Sequence, residues 1–278
     1  MSAQGCALVG PRRVCQMSVQ WRNGRIEPIR PGESVDSTDW GAFTTAGCDQ
    51  GRPLLWSRHS HRLLSSLIEL GAGDSLVLPT ENELCDLLNA ADLDGPARVR
   101  VVARRVGSKQ WNIEASATPC DAFGPDLKPA RLTVDRWASV PPLVGHKTLA
   151  RQPWNLARER ARQKGACDAL LVDLADHLLE SSVANVWVLR GRTVRTPRAP
   201  NHCLPGVVRE WLLENLGGEG LEAEVSDLKL TDLATADEVW LSNAVVGVRR
   251  VCAVDDQRWR EWPTFESLRG LGIPAPGW

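Results

Sequence analysis

The sequence predicts an α+β fold in two domains, for three reasons. Short segments that alternate like strands outnumber amphipathic helical segments along the 278 residues. Several strand segments follow each other as hairpins, which favours an antiparallel or mixed sheet over a doubly wound parallel one. A stretch rich in proline, 118–129, has the composition of a linker. We therefore expect a smaller N-terminal α+β domain over 1–120 and a larger C-terminal α/β domain over 121–278.

The first half opens with a predicted hairpin and a predicted helix. Asn23-Gly24 lies inside the segment 19–26, and this dipeptide favours the left-handed backbone of a two-residue hairpin turn. Residues 59–70 carry apolar side chains at helical spacing, which predicts an amphipathic helix that ends at Gly71.

A second helix and two strands complete the first half. Thr80 with Glu83 three residues later is a capping-box signature, so a helix is expected over 80–91. Alternating residues over 97–106 and 111–115 then predict two strands on either side of a turn.

The second half mixes short strands with helices. The turn at Arg190-Gly191-Arg192 joins two of the strands as a hairpin. The predicted strands are 131–135, 169–173, 185–190, 193–196, 221–226, 238–242 and 248–254. The predicted helices are 153–164 and 206–216, with a short one near 229–235.

Composition excludes several classes of protein. Thirty-three Lys and Arg against 34 Asp and Glu give a net charge of −1, so we expect no nucleic-acid or anionic-membrane partner. Apolar runs are too short to span a bilayer, and residues 1–17 lack the apolar core of a secretory signal, so a cytoplasmic protein is expected. The eight cysteines show no zinc-ligand spacing, which predicts reduced thiols and no metal site.

Four local features are candidates for chemistry, although each also has an ordinary structural interpretation. Lys147, one of only five lysines, follows a proline-rich loop, but most lysines are solvated surface residues. Glu180 lies among apolar and small residues, so it is either half-exposed or paired with a cation. Residues 204–209 lead into a helix whose free N–H groups favour an anion, or simply begin a helix. Arg62 lies beside apolar helix positions and is either functional or exposed.

Taken in order along the chain, these features resemble the fold type IV pyridoxal-phosphate enzymes. That family includes branched-chain aminotransferases, D-amino acid aminotransferases and 4-amino-4-deoxychorismate lyases, and the resemblance extends from about residue 19 onwards. The segments that resemble family motifs are Trp21-Arg22-Asn23-Gly24, His59-x-x-Arg62-Leu63, Gly145-His146-Lys147-Thr148, Glu180 to Asn185, Thr196-Pro197, Leu204 to Arg209 and Ser242-Asn243-Ala244.

The resemblance implies a cofactor, pyridoxal 5'-phosphate, and a role for each matching residue. Lys147 is expected to bind the cofactor covalently and to act as the base, and Glu180 to face the pyridine nitrogen. Arg62 is expected to bind the phosphate. The remaining expected cofactor-binding residues, from the start of the helix and a later turn, are Leu204, Val207, Val208, Ser242 and Asn243. The resemblance also implies a homodimer that acts on a small-molecule substrate.

Phe43-Thr44-Thr45 resembles the Phe-Thr-Thr of aminodeoxychorismate lyases, which convert 4-amino-4-deoxychorismate to 4-aminobenzoate and pyruvate. This resemblance implies that Thr45 is catalytic together with Lys147. The expected substrate-binding residues are Thr44, Arg105 and Lys109.

Two loops depart from the family pattern and leave other functions open. The segments 36–43 and 104–111 are remodelled relative to lyases. The second hypothesis is therefore a class IV aminotransferase acting on D-amino or branched-chain amino acids. The third is a cofactor-free, non-enzymatic relative.

Overall fold

Two β-sheets, one from each half of the chain, organise the protein. The computed structural model describes residues 19–29, 40–73, 76–107, 110–120, 125–276 and 278. The first sheet is antiparallel throughout, in the order β2-β1-β6-β5-β3-β4. Its strands are β1 (Val19–Arg22), β2 (Arg25–Pro28), β3 (Gly41–Asp49), β4 (Arg52–Pro53), β5 (Ala97–Val106) and β6 (Gln110–Pro119). Helices α1 (Trp56–Glu69) and α2 (Glu81–Ala90) pack in its core.

The second sheet is mixed, in the order β12-β11-β10-β13-β14-β7-β8-β9, with β15 paired to β14. Its strands are β7 (Ala130–Arg136), β8 (Asp168–Val172), β9 (Leu178–Ser181), β10 (Asn185–Arg190), β11 (Thr193–Thr196), β12 (Glu222–Val225), β13 (Glu238–Asn243), β14 (Gly247–Val254) and β15 (Gln257–Arg258). Its α-helices are α3 (Gln152–Gln163), α4 (Val207–Asn215) and α5 (Pro263–Ser267), and short 3-10 helices cover Leu216–Glu219, Leu230–Thr235 and Leu268–Leu271.

Strand alternation decides which side chains of the first sheet face the core. On β5 the alternate residues Ala97, Val99, Val101 and Ala103 are buried in the core formed with the helices. Ala42, Ala46 and Cys48 of β3 are buried in the same core. The intervening side chains therefore point to the opposite face of the sheet, which is the face that carries the site described below.

The first sheet is joined to the second half by backbone hydrogen bonds. Phe43 N–H donates to the Lys147 carbonyl at 2.9 Å, and Leu149 N–H donates to the Gly41 carbonyl at the same distance. Ala42 and Thr148 form an antiparallel bridge between these two bonds. Residues 147–149 therefore lie along the edge of β3 like a short additional strand.

Most sequence predictions of secondary structure are confirmed. Helices α2 and α4 and strand β10 lie within a residue of the predicted bounds, and the capping box of Thr80 and Glu83 is formed. The sequence predictions named no strand for β3 and no helix for α5. The mixed character of the second sheet is confirmed. A boundary at 120/121 remains a proposal, and the two sheets lie on either side of it. None of the helices in the described part of the chain has the length and apolar character to cross a bilayer.

Candidate active site

A cavity of about 640 Å³ is lined by residues from both halves of the chain. Its volume lies in the range of small-molecule and cofactor sites. The first half contributes strands β3 and β5 and helix α1, and the second half contributes residues around Lys147, strand β9, the start of α4 and the turn after β13. The cavity therefore depends on the joint between the two halves.

Lys147 lies in the loop between β7 and α3, where the bonds to β3 hold its backbone. Its Nζ atom is 4.9 Å from the centre of the Phe43 ring. Burial lowers the pKa of Lys147 well below its usual range, and the Arg151 and Arg62 guanidinium groups lower it further. The amine is thus shifted toward its neutral, nucleophilic form.

Glu180 on β9 is the one carboxylate among the described residues that line the cavity. Trp154 Nε1–H donates to Oε1 at 2.8 Å, and the Leu204 backbone N–H donates to Oε2 at 3.1 Å. Burial raises the pKa of Glu180, while the Arg151 guanidinium and the two hydrogen bonds oppose that increase. A cationic partner in the cavity would favour the ionised carboxylate.

Arg62 on α1 reaches the beginning of α4. One terminal nitrogen donates to the Pro205 carbonyl at 3.2 Å, and the other donates to Thr44 Oγ1 at 3.1 Å. Asn185 Nδ2 donates to the Leu204 carbonyl at 2.8 Å and fixes the same turn. Helix α4 then starts after Gly206, so its free backbone N–H groups and the guanidinium lie at one end of the cavity.

An arginine row on β5 forms a second wall. Arg98, Arg100 and Arg104 all line the cavity because alternate residues of a strand share a face. The Arg100 guanidinium lies 3.7 Å from the centre of the Phe43 ring. Burial, with smaller effects of Arg104 and Arg98, lowers the pKa of Arg100 to about 10, so it stays charged at neutral pH. Nε of Arg104 is buried without a hydrogen-bond partner among the described residues, and so is Nε of Arg158 on the α3 side.

The structure brings most of the predicted site residues together. The predicted residues that line the cavity are Lys147, Thr45, Glu180, Arg62, Leu204, Val207, Ser242 and Asn243. Two of these are already engaged: Ser242 Oγ accepts from Trp187 Nε1 at 2.9 Å, and Asn243 Oδ1 accepts from the Val245 and Val246 N–H groups.

Three predicted residues are placed elsewhere. Thr44 points to the core side of β3, away from the cavity face that Thr45 shares, and contacts His59 and Arg62. Arg105 is out of phase with the arginine row and lies over Trp40, 5.9 Å from the ring centre. The Val208 side chain packs in the core and does not line the cavity. Lys109 lies outside the described residues.

The sequence predictions also missed five cavity arginines. The alternation of β5 could have predicted three of them. Val99, Val101 and Ala103 mark the core face of the strand, so the residues between and beside them face the other way. These include Arg98, Arg100 and Arg104. Arg151 and Arg158 flank Trp154 on or next to α3, and only the packing of that helix against the sheet brings them to the cavity.

The two sheets share a cavity that holds a lysine with a lowered pKa, a buried carboxylate and an arginine at the start of a helix. This is the fold and site of a fold type IV pyridoxal-phosphate enzyme, as the sequence resemblance predicted. The sequence profile of the amino-transferase class IV family matches residues 41–254. The chain therefore belongs to the class IV aminotransferase family, which confirms that it is an enzyme dependent on pyridoxal phosphate.

Similar proteins include lyases and aminotransferases. Aminodeoxychorismate lyase of Vibrio harveyi is 27% identical over 249 residues, which cover 84% of this chain and 90% of that protein. Aminodeoxychorismate lyase of Bacillus subtilis (strain 168) is 26% identical over 220 residues, 75% of each chain. The crystal structure of a branched-chain aminotransferase from Thermoproteus uzoniensis has a TM-score of 0.82 at 19% identity and covers 91% of this chain and 92% of that one. The last comparison confirms the fold.

The residues of the cavity fit pyridoxal phosphate. The amine of Lys147 is suited to an aldehyde, and Glu180 is an enclosed carboxylate for a pyridinium nitrogen. Arg62 and the first turn of α4 offer a fork of donors and a positive helix end for a phosphate. Cations therefore surround Glu180, the one carboxylate among the described residues that line the cavity, and the cofactor would supply the anionic charge that the cavity lacks.

Proposed function

We propose that the protein is a lyase that converts 4-amino-4-deoxychorismate to 4-aminobenzoate and pyruvate. The observation that carries this proposal is the charge of the cavity. Among its described lining residues, one carboxylate, Glu180, faces six arginines and Lys147, and the arginines are Arg62, Arg98, Arg100, Arg104, Arg151 and Arg158. After a phosphate is bound, several arginines still need anionic partners. A substrate with two carboxylates meets that need better than an amino acid with an apolar side chain.

In this reaction the ring carbon that bears the amine loses a proton, and the bond between the adjacent ring carbon and the enolpyruvyl oxygen breaks. The electron pair of the carbon–hydrogen bond completes the aromatic ring, and the released enolpyruvate takes up a proton to become pyruvate. Pyridoxal phosphate, when bound, supplies an electron sink for the ring carbon that bears the amine. The amine nitrogen of the substrate stays in 4-aminobenzoate, so no amino acceptor is consumed.

The chain's own residues divide this work. Lys147 Nζ accepts the ring proton, because its lowered pKa leaves it neutral enough to act as a base. The Thr45 hydroxyl lies on the same wall as Phe43 and orients a polar group of the substrate. Arg100 and Arg104 bind the carboxylates. Glu180 would face the pyridine nitrogen of the bound cofactor and keep it protonated.

The proposal includes a setting for the enzyme. A reaction that forms 4-aminobenzoate belongs to folate biosynthesis, and we place it in the cytoplasm with a homodimer as the active form. The two similar lyases support the reaction, while the homodimer rests on the family resemblance and the location on the sequence prediction.

The decisive experiment supplies aminodeoxychorismate without any amino acceptor and measures pyruvate and 4-aminobenzoate. The wild-type enzyme should form both products in equal amounts over many turnovers. Arg104→Gln should raise KM for aminodeoxychorismate about tenfold or more, because one charge-assisted contact contributes about 1.5–3 kcal/mol. Arg105→Gln is the matched control, since the neighbouring residue faces away from the cavity, and its KM should stay near the wild-type value.

One outcome would contradict the lyase assignment, and another would contradict the role given to the arginine row. One is absence of pyruvate together with fast turnover of D-alanine or leucine with 2-oxoglutarate, which would identify an aminotransferase. The other is equal effects of Arg104→Gln and Arg105→Gln on KM, which would remove the arginine row from the substrate site.

A further inference from the structure

A buried hydrogen-bond chain lies directly behind the cavity, on the core side of β3. Thr44 Oγ1 is 2.7 Å from His59 Nδ1 and accepts a hydrogen bond from the Arg62 guanidinium at 3.1 Å. His59 and Arg62 lie three residues apart on α1 and so project from the same side of that helix. The Thr44 side chain is fully buried and that of His59 is 1% exposed.

The valence of the hydroxyl lets Thr44 bond to Arg62 and His59 at the same time. A threonine hydroxyl has one donor and two acceptor sites. Because Arg62 only donates, Thr44 Oγ1 accepts from it, and its own hydrogen is free to point at His59 Nδ1. A neutral His59 ring completes the chain in either tautomer, because Nδ1 either accepts this hydrogen or donates its own to the second acceptor site of the hydroxyl. Burial lowers the pKa of His59 well below 6.5, with Arg62 and Lys147 as smaller causes, which agrees with a neutral imidazole.

The chain leaves part of the guanidinium for a ligand. Of its five N–H donors, one points to Thr44 and one to the Pro205 carbonyl at 3.2 Å, on opposite terminal nitrogens. Two such anchors fix the plane of the group between β3 and the turn before α4. An arginine fork binds a phosphate well only when its plane is set, because both parallel bonds require the same orientation.

We propose that Thr44 and His59 are positioning residues that hold the Arg62 guanidinium in the orientation that binds the cofactor phosphate. Neither side chain lines the cavity, so neither touches substrate or cofactor. The inference rests on the proposed role of Arg62 as the phosphate anchor. It also reassigns Thr44, which the sequence placed at the substrate.

The test compares binding of pyridoxal phosphate with binding of pyridoxal, which keeps the aldehyde and lacks the phosphate. Thr44→Val preserves shape and removes the hydroxyl, so it should weaken the affinity for pyridoxal phosphate about tenfold, a change of about 1.4 kcal/mol. Its affinity for pyridoxal should stay within about twofold of wild type. Thr44→Ser restores the hydroxyl and should recover most of the lost affinity. His59→Gln is measured in parallel as a second break in the same chain.

Thermal melts of the cofactor-free variants separate positioning from loss of fold. If Thr44→Val lowers both affinities equally, or lowers neither, the positioning role is wrong. Arg62→Ala separates this failure from that of the anchor itself. When Arg62→Ala lowers only the affinity for pyridoxal phosphate but Thr44→Val and His59→Gln do not, the anchor stands and the positioning role falls. When Arg62→Ala spares both ligands, the anchor and the positioning role fall together.

Discussion

The amine of Lys147 owes its reactivity to its surroundings more than to its own chemistry. Desolvation and the nearby guanidinium groups of Arg151, Arg62 and Arg100 disfavour the ammonium form, so its pKa falls. We expect borohydride reduction of the purified enzyme to attach the cofactor to Lys147, and peptide mapping by mass spectrometry to locate it. Lys164→Arg, at the end of α3, should keep the label. A label on Lys164 or Lys128 would overturn the assignment.

His59 gives the protein a pH dependence with a defined sign. Its pKa in the folded state lies well below the ordinary 6.5, so the unfolded chain binds the extra proton first. The free energy of unfolding should therefore fall as the pH falls below about 6.5, by up to about 1.4 kcal/mol per pH unit until the folded-state pKa is reached. Urea unfolding of the cofactor-free protein at pH 7 and pH 5 measures this loss.

His59→Gln is the reference for that measurement, since it removes the titrating ring and leaves the other ionisable groups in place. The wild-type protein should lose more stability than this variant between pH 7 and pH 5. Equal losses in the two proteins would show that the pKa of His59 is not lowered in the folded state.

At the scale of elements, the start of α4 depends on a glycine. A Cβ atom at Gly206 would collide with Asn185 Oδ1, whereas Gly217, after the same helix, has open space around it. Gly206→Ala should displace the Asn185 amide from the Leu204 carbonyl and destabilise the protein by about 1–3 kcal/mol, as overpacking does. It should also weaken cofactor affinity.

Gly217→Ala is the matched control for this prediction. Thermal melts and cofactor titration of both variants measure the two effects. If Gly206→Ala matches Gly217→Ala in both assays, the turn before α4 tolerates the added methyl group and the packing argument is wrong.

The elements that could be predicted from the sequence are those with a local signal. The capping box of Thr80 and Glu83 predicts α2, and Asn23-Gly24 predicts the first hairpin. Strand β3 carries no such signal, because nearly all of its residues are buried and apolar alternation is lost. Alternation predicted β5 as a strand but was not used to assign its residues to the two faces. That assignment separates Arg104 from Arg105 and, on β3, Thr45 from Thr44.

At the scale of the whole molecule, charge is segregated. The chain has a net charge of −1, yet the described wall of the cavity concentrates six arginines. We expect KM for aminodeoxychorismate to rise severalfold between about 0.05 M and 0.5 M salt, because screening weakens attraction of an anion into a cationic cleft. Turnover at saturating substrate should change little. A KM that is independent of salt would contradict steering by the arginine wall.

The pairing of β3 with residues 147–149 has a consequence for folding during synthesis on the ribosome. Gly41 to Phe43 form a strand edge whose partner arrives about 100 residues later in the chain. Until then, that edge is an open template on which another nascent chain can pair. The lysine segment closes the edge as it brings Lys147 to β3, before residues such as Glu180 and Asn243 complete the cavity. This edge is therefore protected from aggregation before the chain has acquired the rest of its active site.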